Sequence, residues 1–345
     1  MPTKIGLMGC GVVAVYGHIP AILETSELQL HAVYDPNEAT LRRVQERFGI
    51  PHAFSDAKEF FQSGIAGVSI TSPAPFHKDN VLACARHRLP ALCEKPLAMD
   101  GEEGRLMAQA MDRAGVSLYV AFCYRFSPVA LRIRELVRTG AISDVRSLRL
   151  IYNWDAHGKY AEGPDGSKII QKRREDRMLE GGPMVDCGTH QIDLAAFWLD
   201  SKVVGYSGHG AWVDGYEAPD HMWLHMDHAN GAHTAIEISY SYHHTSKNTR
   251  SEFVYELIGT SGVIRYDRQA ASFSMENESG RQEFEFHPEK EFSAMYREWA
   301  NALRSGHSDL LTSAEEGVVV AEIARAATDD VIRRGTGRAP ARQTA

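Results

Sequence analysis

The sequence predicts an α/β domain with a parallel sheet followed by an α+β domain, and three observations carry that expectation. Strand-like apolar runs at residues 5–8, 28–34, 67–71, 91–93 and 117–122 alternate with amphipathic segments such as 38–48 and 101–114, the rhythm of strands joined by crossover helices. After Ser143 the runs 147–154, 203–213, 221–226, 232–242, 252–259 and 262–266 follow one another without alternating helices. Asn230-Gly231 between two of them is a hairpin turn signal.

The chain has 345 residues and 43% hydrophobic content, enough for a sizeable core and more than one compact domain usually absorbs. A formal charge of -8 with no long basic run argues against nucleic acid or anionic lipid and for a small ligand. Cys10, Cys84, Cys93, Cys123 and Cys187 are an odd set without a C-x-x-C pair, as expected of reduced thiols. With no charged leader and no apolar stretch near membrane length, the expectation is a cytoplasmic, soluble protein.

In a parallel sheet, ligands sit beyond the carboxyl ends of the strands, so the residues directly after each run matter most. The first run is followed by Gly9-Cys10-Gly11-Val12-Val13-Ala14, a G-x-G-x-x-A turn. Gly9 and Gly11 lack the side chains that would keep a pyrophosphate from the backbone, and Val12 and Val13 open a helix. The second run ends at Asp35, whose carboxylate suits ribose hydroxyls and repels a 2'-phosphate, favouring NAD over NADP. Asp35 also suits the start of an Asp-Pro-Asn turn, and both roles are compatible.

The third run ends in Thr71-Ser72-Pro73-Ala74-Pro75-Phe76-His77 and the fourth in Cys93-Glu94-Lys95-Pro96-Leu97-Ala98. With the glycine motif, residues 120–126 around Tyr124-Arg125 and the later Gly181-Gly182-Pro183-Met184-Val185-Asp186-Cys187-Gly188-Thr189-His190, the chain resembles the glucose-fructose oxidoreductase and inositol dehydrogenase (Gfo/Idh/MocA) family from about residue 4 to about residue 335. The resemblance implies a Rossmann domain over residues 1–125. It implies a substrate-binding and oligomerisation α+β domain over 126–335, built on a large open-faced, mostly antiparallel sheet, with the active site between the two. Residues 336–345, rich in Pro, Gly and Arg without periodicity, are expected to be a loose tail. Ser72, Pro73, His77, Glu94, Lys95 and Arg125 join the glycine loop and Asp35 as expected cofactor-binding residues.

By the same resemblance Lys95, Asp186 and His190 are catalytic. Hydride leaves a carbinol carbon only as the hydroxyl proton is taken up, which calls for a base near neutral pH and a cation beside the developing alkoxide; histidine and lysine supply these. A helix opening at Pro183 and continuing to about Leu199 would put Asp186 and His190 on one face, with Asp193 continuing it. Val185, Ile192, Ala195, Ala196 and Leu199 would form much of the buried stripe.

Two positions depart from the family's pattern: Glu180 stands where a first glycine is common, and Cys123 where asparagine is frequent. Glu180 either contacts a hydroxyl-rich ligand or pairs with the Lys172, Arg173, Arg174, Arg177 cluster; a solvated surface network is the commoner outcome for such a run, and the sharper alternative makes Lys172 and Arg173 partners of an acidic sugar. Tyr124, Tyr152, Trp154 and His157 are further substrate candidates, with residues 163–166 as a loop; Tyr152 and Trp154 read equally well as packed strand residues. The crowded histidines His221, His225, His228, His233, His243 and His244 do not read as a metal site, since His221 and His225 would lie roughly 13 Å apart on one strand. Their semi-polar face is instead the expected interface of a homodimer or homotetramer. Residues 292–304 and 314–333 read as amphipathic helices.

The function expected is hydride transfer between a secondary alcohol of a sugar, cyclitol or related polyol and NAD. The alternatives are an NAD-dependent glycoside hydrolase acting by transient oxidation and elimination, and a non-catalytic NAD- and sugar-binding regulator.

Overall fold

The computed structural model describes residues 1–156, 160–162, 168–243 and 246–335. The expected loop at 163–166, His157, His244 and the tail at 336–345 lie outside the described residues.

The first stretch of chain is parallel α/β. Strands β1 (Thr3–Met8), β2 (Leu28–Tyr34), β3 (His52–Phe54), β4 (Gly67–Ile70), β5 (Ala91–Cys93) and β6 (Leu118–Val120) lie in the order β6-β5-β4-β1-β2-β3, all parallel. Between them run α1 (Ile19–Glu24), α2 (Glu38–Phe48), α3 (Ala57–Phe61), α4 (His77–Arg86) and α5 (Gly101–Ala114). Side-chain oxygens of Asn37 and Asp100 accept the first free N–H groups of α2 and α5, which is why these two helices start where their amphipathic pattern does. Strand β3 carries no clear sequence signal because it is three residues long and only half-buried at the sheet edge.

The second stretch holds α6 (Pro128–Arg138), β7 (Val145–Asn153), β8 (Tyr160–Glu162), β9 (Lys168–Ile170), α7 (Lys172–Leu179) and α8 (Thr189–Leu199). Then come β10 (Val203–Ala211), β11 (His221–His228), β12 (His233–Ser239), β13 (Glu252–Gly259), β14 (Gly262–Asp267), β15 (Ser272–Asn277) and β16 (Gly280–Glu283). Eight strands pair in the order β10-β11-β12-β7-β13-β14-β15-β16, antiparallel except for the parallel β12/β7 contact. The hairpin of β15 and β16 is not evident from the sequence because its outer strand is exposed throughout.

Period-two alternation sorts this sheet into two faces. Met222, Leu224, Ile236, Ile238, Leu150, Phe253 and Tyr255 are buried on one, where α8 lies across them with Trp198 edge-on to Tyr255 at 5.0 Å. Trp198 also donates to the Ala130 carbonyl of α6, so α8 is held between helix and sheet. It is consequently buried almost all round, and Ala196, expected in the buried stripe, is its single partly exposed residue. Half-exposed His221, Trp223, His225 and Glu237 occupy the opposite face.

The remaining elements are α9 (Phe292–Ser305), β17 (Thr312–Ser313) and α10 (Ala314–Arg334). The chain forms two compact units, Met1–Ser127 with Lys290–Ala321, and Pro128–Glu289 with Glu322–Ala345. The segment Lys290–Ala321 thus belongs with the first unit, where the sequence predicts one domain over 126–335. Two contacts draw it there: β17 adds an antiparallel edge to β6, and α9 buries Met295, Tyr296 and Trp299 with the Tyr296 hydroxyl 2.6 Å from Ser69 of β4.

One backbone approach in the second unit leaves no room for a side chain: a Cβ on Gly259 would sit 2.0 Å from the Ile142 carbonyl oxygen. Gly259→Ala is therefore expected to cost about 2–3 kcal/mol or more. A urea midpoint equal to that of the unsubstituted chain would refute the close approach.

Candidate functional site

In the first unit the glycine loop is shaped from two sides. Gly9 has φ +99°, and a Cβ there would be 2.5 Å from the Ser72 backbone nitrogen, so the loop lies directly against the turn after β4. Asp35 accepts the Cys10 N–H at 2.8 Å through one carboxylate oxygen and the Asn37 N–H at 2.9 Å through the other. It therefore both starts the Asp-Pro-Asn turn and clamps the glycine loop. Gly11 opens onto free space, with nothing within 4 Å of where a Cβ would stand, and residues 12 and 13 are already helical. Their first N–H groups have no partner within the helix, and Val12 is 58% exposed beside them. Burial, aided by the Asp35 charge, pushes the Cys10 thiol up to about 12, so it is not a reactive group.

His77 is buried between two loops, with Nε2 2.9 Å from the Ser72 carbonyl and Nδ1 2.9 Å from the Pro96 carbonyl; burial lowers its pKa. Ser72 also takes a hydrogen bond from Asn80 at 2.9 Å, while Pro73 is exposed. Glu94 is 7% exposed. One oxygen meets His18 Nε2 at 2.7 Å and the other accepts the Lys95 N–H at 3.1 Å. Burial alone would raise the Glu94 pKa, but the His18 hydrogen bond and the charges of His18, Lys95 and His77 hold it below the usual carboxylate value. Tyr124 and Arg125 are buried in the turn after β6, where Arg125 reaches Glu316 at 3.1 Å.

In the second unit the segment from Pro183 is not one continuous α-helix. Met184–Gly188 forms a π-helical turn and α8 begins at Thr189, a local widening of the helix that recurs at functional sites. Asp186 lies in the π turn, 6% exposed, and His190 in the first turn of α8, 5% exposed. The Tyr240 hydroxyl donates to Asp186 at 2.5 Å, and Arg177 Nε lies 3.7 Å from the same oxygen. Burial, followed by the Asp186 and Cys187 charges, raises the Tyr240 pKa well above its ordinary value, so the phenol keeps its proton. Arg177 also pairs with Glu180. Burial opposes its charge, but the Asp186 and Glu180 carboxylates raise its pKa. Glu180 thus follows the second of its two sequence readings and pairs with the basic cluster.

The other members of that cluster are also engaged. Lys172 is 84% exposed in its side chain and bonds Asp176 at 2.5 and 2.7 Å. Arg174 is fully buried, donating to Asp155 at 2.9 Å, to the Tyr240 carbonyl at 2.6 Å and to Ser241 at 2.6 Å, with Asp214 at 3.5 Å. Arg173 is partly exposed. Tyr152 is buried, stacked on Trp154 at 5.4 Å and edge-on to Phe253 at 4.8 Å, while Trp154 meets Tyr240 edge-on at 6.0 Å. This packed aromatic group reaches the partner of Asp186. Among the described residues, no three His, Cys, Asp or Glu side chains are grouped to hold a metal ion; His225 instead lies 3.1 Å from His233.

Residues 3–122 match the oxidoreductase family described by its NAD-binding Rossmann fold, and residues 130–265 match the GFO/IDH/MocA C-terminal domain. The chain belongs to the Gfo/Idh/MocA oxidoreductase family. Among its relatives, D-xylose 1-dehydrogenase (NADP(+)) 2 of Haloferax volcanii is 32% identical over 56% of this chain and 56% of its own. D-apiose dehydrogenase of Rhizobium rhizogenes is 25% identical over 76% of this chain and 72% of its own. The match to the first of these therefore spans little more than half of that relative's length. A solved oxidoreductase from Agrobacterium radiobacter, in complex with NAD+, L-tartaric acid and magnesium, superimposes with a TM-score of 0.82 at 22% identity, covering 98% of both chains; at that identity the likeness is one of fold.

In this Gfo/Idh/MocA protein the glycine loop fits the dinucleotide that the family binds: Gly9 closes against the next turn, Gly11 leaves the loop open, and helical N–H groups start directly after it. The family motifs locate Lys95 in the first unit and Asp186 and His190 in the second. The side chains that meet Asp186, Tyr240 and Arg177, and the His18 that meets Glu94 beside Lys95, are not singled out by the motifs.

Arg174 is a buried cation met by carboxylates, so removing it alone strands Asp155 and Asp214. Arg174→Met is expected to destabilise the second unit by about 3–5 kcal/mol, read as a lowered midpoint in urea. An unchanged midpoint would mean that the buried pairs hold nothing together.

Proposed function

We propose that this chain is an NAD-dependent dehydrogenase acting on a secondary alcohol of a neutral sugar, cyclitol or related polyol. The observation that carries the reading is the buried Asp186, faced by the Tyr240 hydroxyl and the Arg177 guanidinium, four residues before the buried His190. Donors directed at one carboxylate are the setting an anion needs, and an aspartate so held orients and polarises a neighbouring imidazole.

His190 takes the hydroxyl proton of the substrate, Asp186 steadies the imidazolium that forms, and the Lys95 ammonium stabilises charge on the oxygen. Bound NAD supplies the hydride acceptor. Gly9, Gly11, Val12 and Val13 hold its pyrophosphate, with Ser72, Pro73, His77, Glu94 and Arg125 as the further cofactor-side residues. Asp35 favours NAD over NADP by its charge. Neutral substrates are favoured because Lys172, Arg174 and Arg177 already face carboxylates within their own unit. Of the aromatic candidates, the partly exposed Trp154 offers a face to the C–H patches of a sugar ring, with the buried Tyr152 stacked behind it, while Tyr124 is buried.

Among the described residues no helix is long and apolar enough to cross a membrane. Together with five free cysteines, this supports a cytoplasmic protein. The half-exposed row of His221, Trp223 and His225 supports a homodimer or homotetramer formed through that sheet face; light scattering that finds a monomer at micromolar concentration would remove this part of the reading.

The test of the activity is NADH formation from NAD with a panel of neutral cyclitols and aldoses, acidic sugars and glycosides, with NADP run in parallel. Steady NADH from a neutral polyol is the expected result; free sugar released from a glycoside without net NADH would replace the dehydrogenase by a redox-assisted hydrolase. Lys95→Ala and His190→Ala are expected to lower kcat by about 10²–10⁴-fold with an unchanged melting temperature. Near-normal turnover in either variant would end its assignment.

A further inference from the structure

A buried polar chain in the first unit joins four segments of the sequence. His18, the last residue of a π-helical turn at Ala14–His18, is 0% exposed. Its Nε2 lies 2.7 Å from Glu94 Oε1, and its Nδ1 lies 2.6 Å from the Tyr296 hydroxyl, which is itself 2.6 Å from Ser69 Oγ. A carboxylate can only accept, so the His18 proton sits on Nε2 and donates to Glu94; Tyr296 and Ser69 rotate their hydroxyls to complete the chain. Phe292 closes the other side of the imidazole, ring centroids 5.0 Å apart. Glu94 in turn accepts the backbone N–H of Lys95 and feels the charge of its side chain.

We propose that His18 is a positioning residue for Lys95: it fixes the Glu94 carboxylate beside the lysine and ties that turn to the helix that follows the glycine loop. The role rests on the assignment of Lys95 to the substrate oxygen. Without the imidazole, Glu94 loses its partner at Oε1 and is free to swing off the Lys95 N–H, which loosens the turn that carries the lysine. With the imidazole in place, the carboxylate keeps one oxygen on His18 and the other on the Lys95 N–H, so the ammonium is carried on a turn held in one place. Tyr296, from the returning α9, keeps the imidazole ring from turning away.

The test uses the full-length chain and has two arms. Trinitrobenzenesulfonate, an amine-reactive probe, labels the protein at pH 8, and the Lys95 peptide is followed by mass spectrometry; this needs no substrate. His18→Ala is expected to speed Lys95 labelling about threefold or more as the turn loosens, with other lysines unchanged, whereas His18→Gln, whose amide still donates to Glu94, restores most of the original rate. In the second arm, with a polyol that the unsubstituted enzyme oxidises, His18→Ala lowers kcat about tenfold while the KM for NAD stays within about twofold. Equal labelling and equal kcat in folded His18→Ala would overturn the proposal. Should His18→Ala fail to fold, Tyr296→Phe, which removes only the hydroxyl behind the imidazole, and His18→Gln decide it by the same readouts. If no polyol is turned over, the dehydrogenase reading has failed; the labelling arm still separates a coupled His18, Glu94 and Lys95 from a merely packed histidine.

Discussion

A carboxylate taken out of water must be met by donors or it will not stay charged, and each unit of this chain is arranged around one. In the first unit it is Glu94, reached by His18 and by its own neighbour's N–H. In the second it is Asp186, reached by Tyr240 and Arg177. Each set draws on distant chain: residues 18, 94 and 296 converge in one unit and 177, 186 and 240 in the other. A π-helical turn accompanies each: His18 ends the one at Ala14–His18, and Asp186 lies in the one at Met184–Gly188. Fully buried Arg174 is the same constraint with the sign reversed, a cation surrounded by Asp155, Asp214 and the loop around Ser241.

The sheets are legible in the sequence where hydrophobic period and turn chemistry agree. Helices α2 and α5 start and end where the amphipathic pattern does, because Asn37 and Asp100 cap their starts and left-handed Gly49 and Gly115 close their ends. The alternation of Met222, Leu224 and Met226 against His221, Trp223 and His225 correctly tells the packed face from the half-exposed one. What escapes are elements whose stability comes from the partner strand rather than from their own pattern: the three-residue β3 and the exposed β16. The return of Lys290–Ala321 to the first unit is not readable either, since an amphipathic helix announces that it will pack but not against what.

The same division runs through the candidate site. Lys95, Asp186 and His190 stand out because each lies in a short motif with an order and a spacing. Tyr240 carries no such mark: it follows a strand as one more aromatic residue, and only the folded chain brings its hydroxyl to Asp186. Glu180 leaves two readings open in the sequence, and the structure pairs it with Arg177. Asp35 also allows two, and its bonds to Cys10 and Asn37 show the turn-forming role at work in a position that leaves the carboxylate beside the glycine loop.

The split composition of the first unit has a consequence for how the chain is made. Residues 1–127 leave the ribosome with the edge of β6 unpaired and without the helix that supplies Tyr296 to His18 and Ser69. Those contacts are complete only after Ser313 has been added, roughly 185 residues later, a wait of about 10–40 s at typical translation rates. The second unit's strands, all encoded in between, emerge first. Nascent first-unit chains therefore pass through an interval in which an open strand edge and an apolar surface await a C-terminal segment not yet synthesised, and during that interval the chain depends on whatever shields such surfaces in the cell.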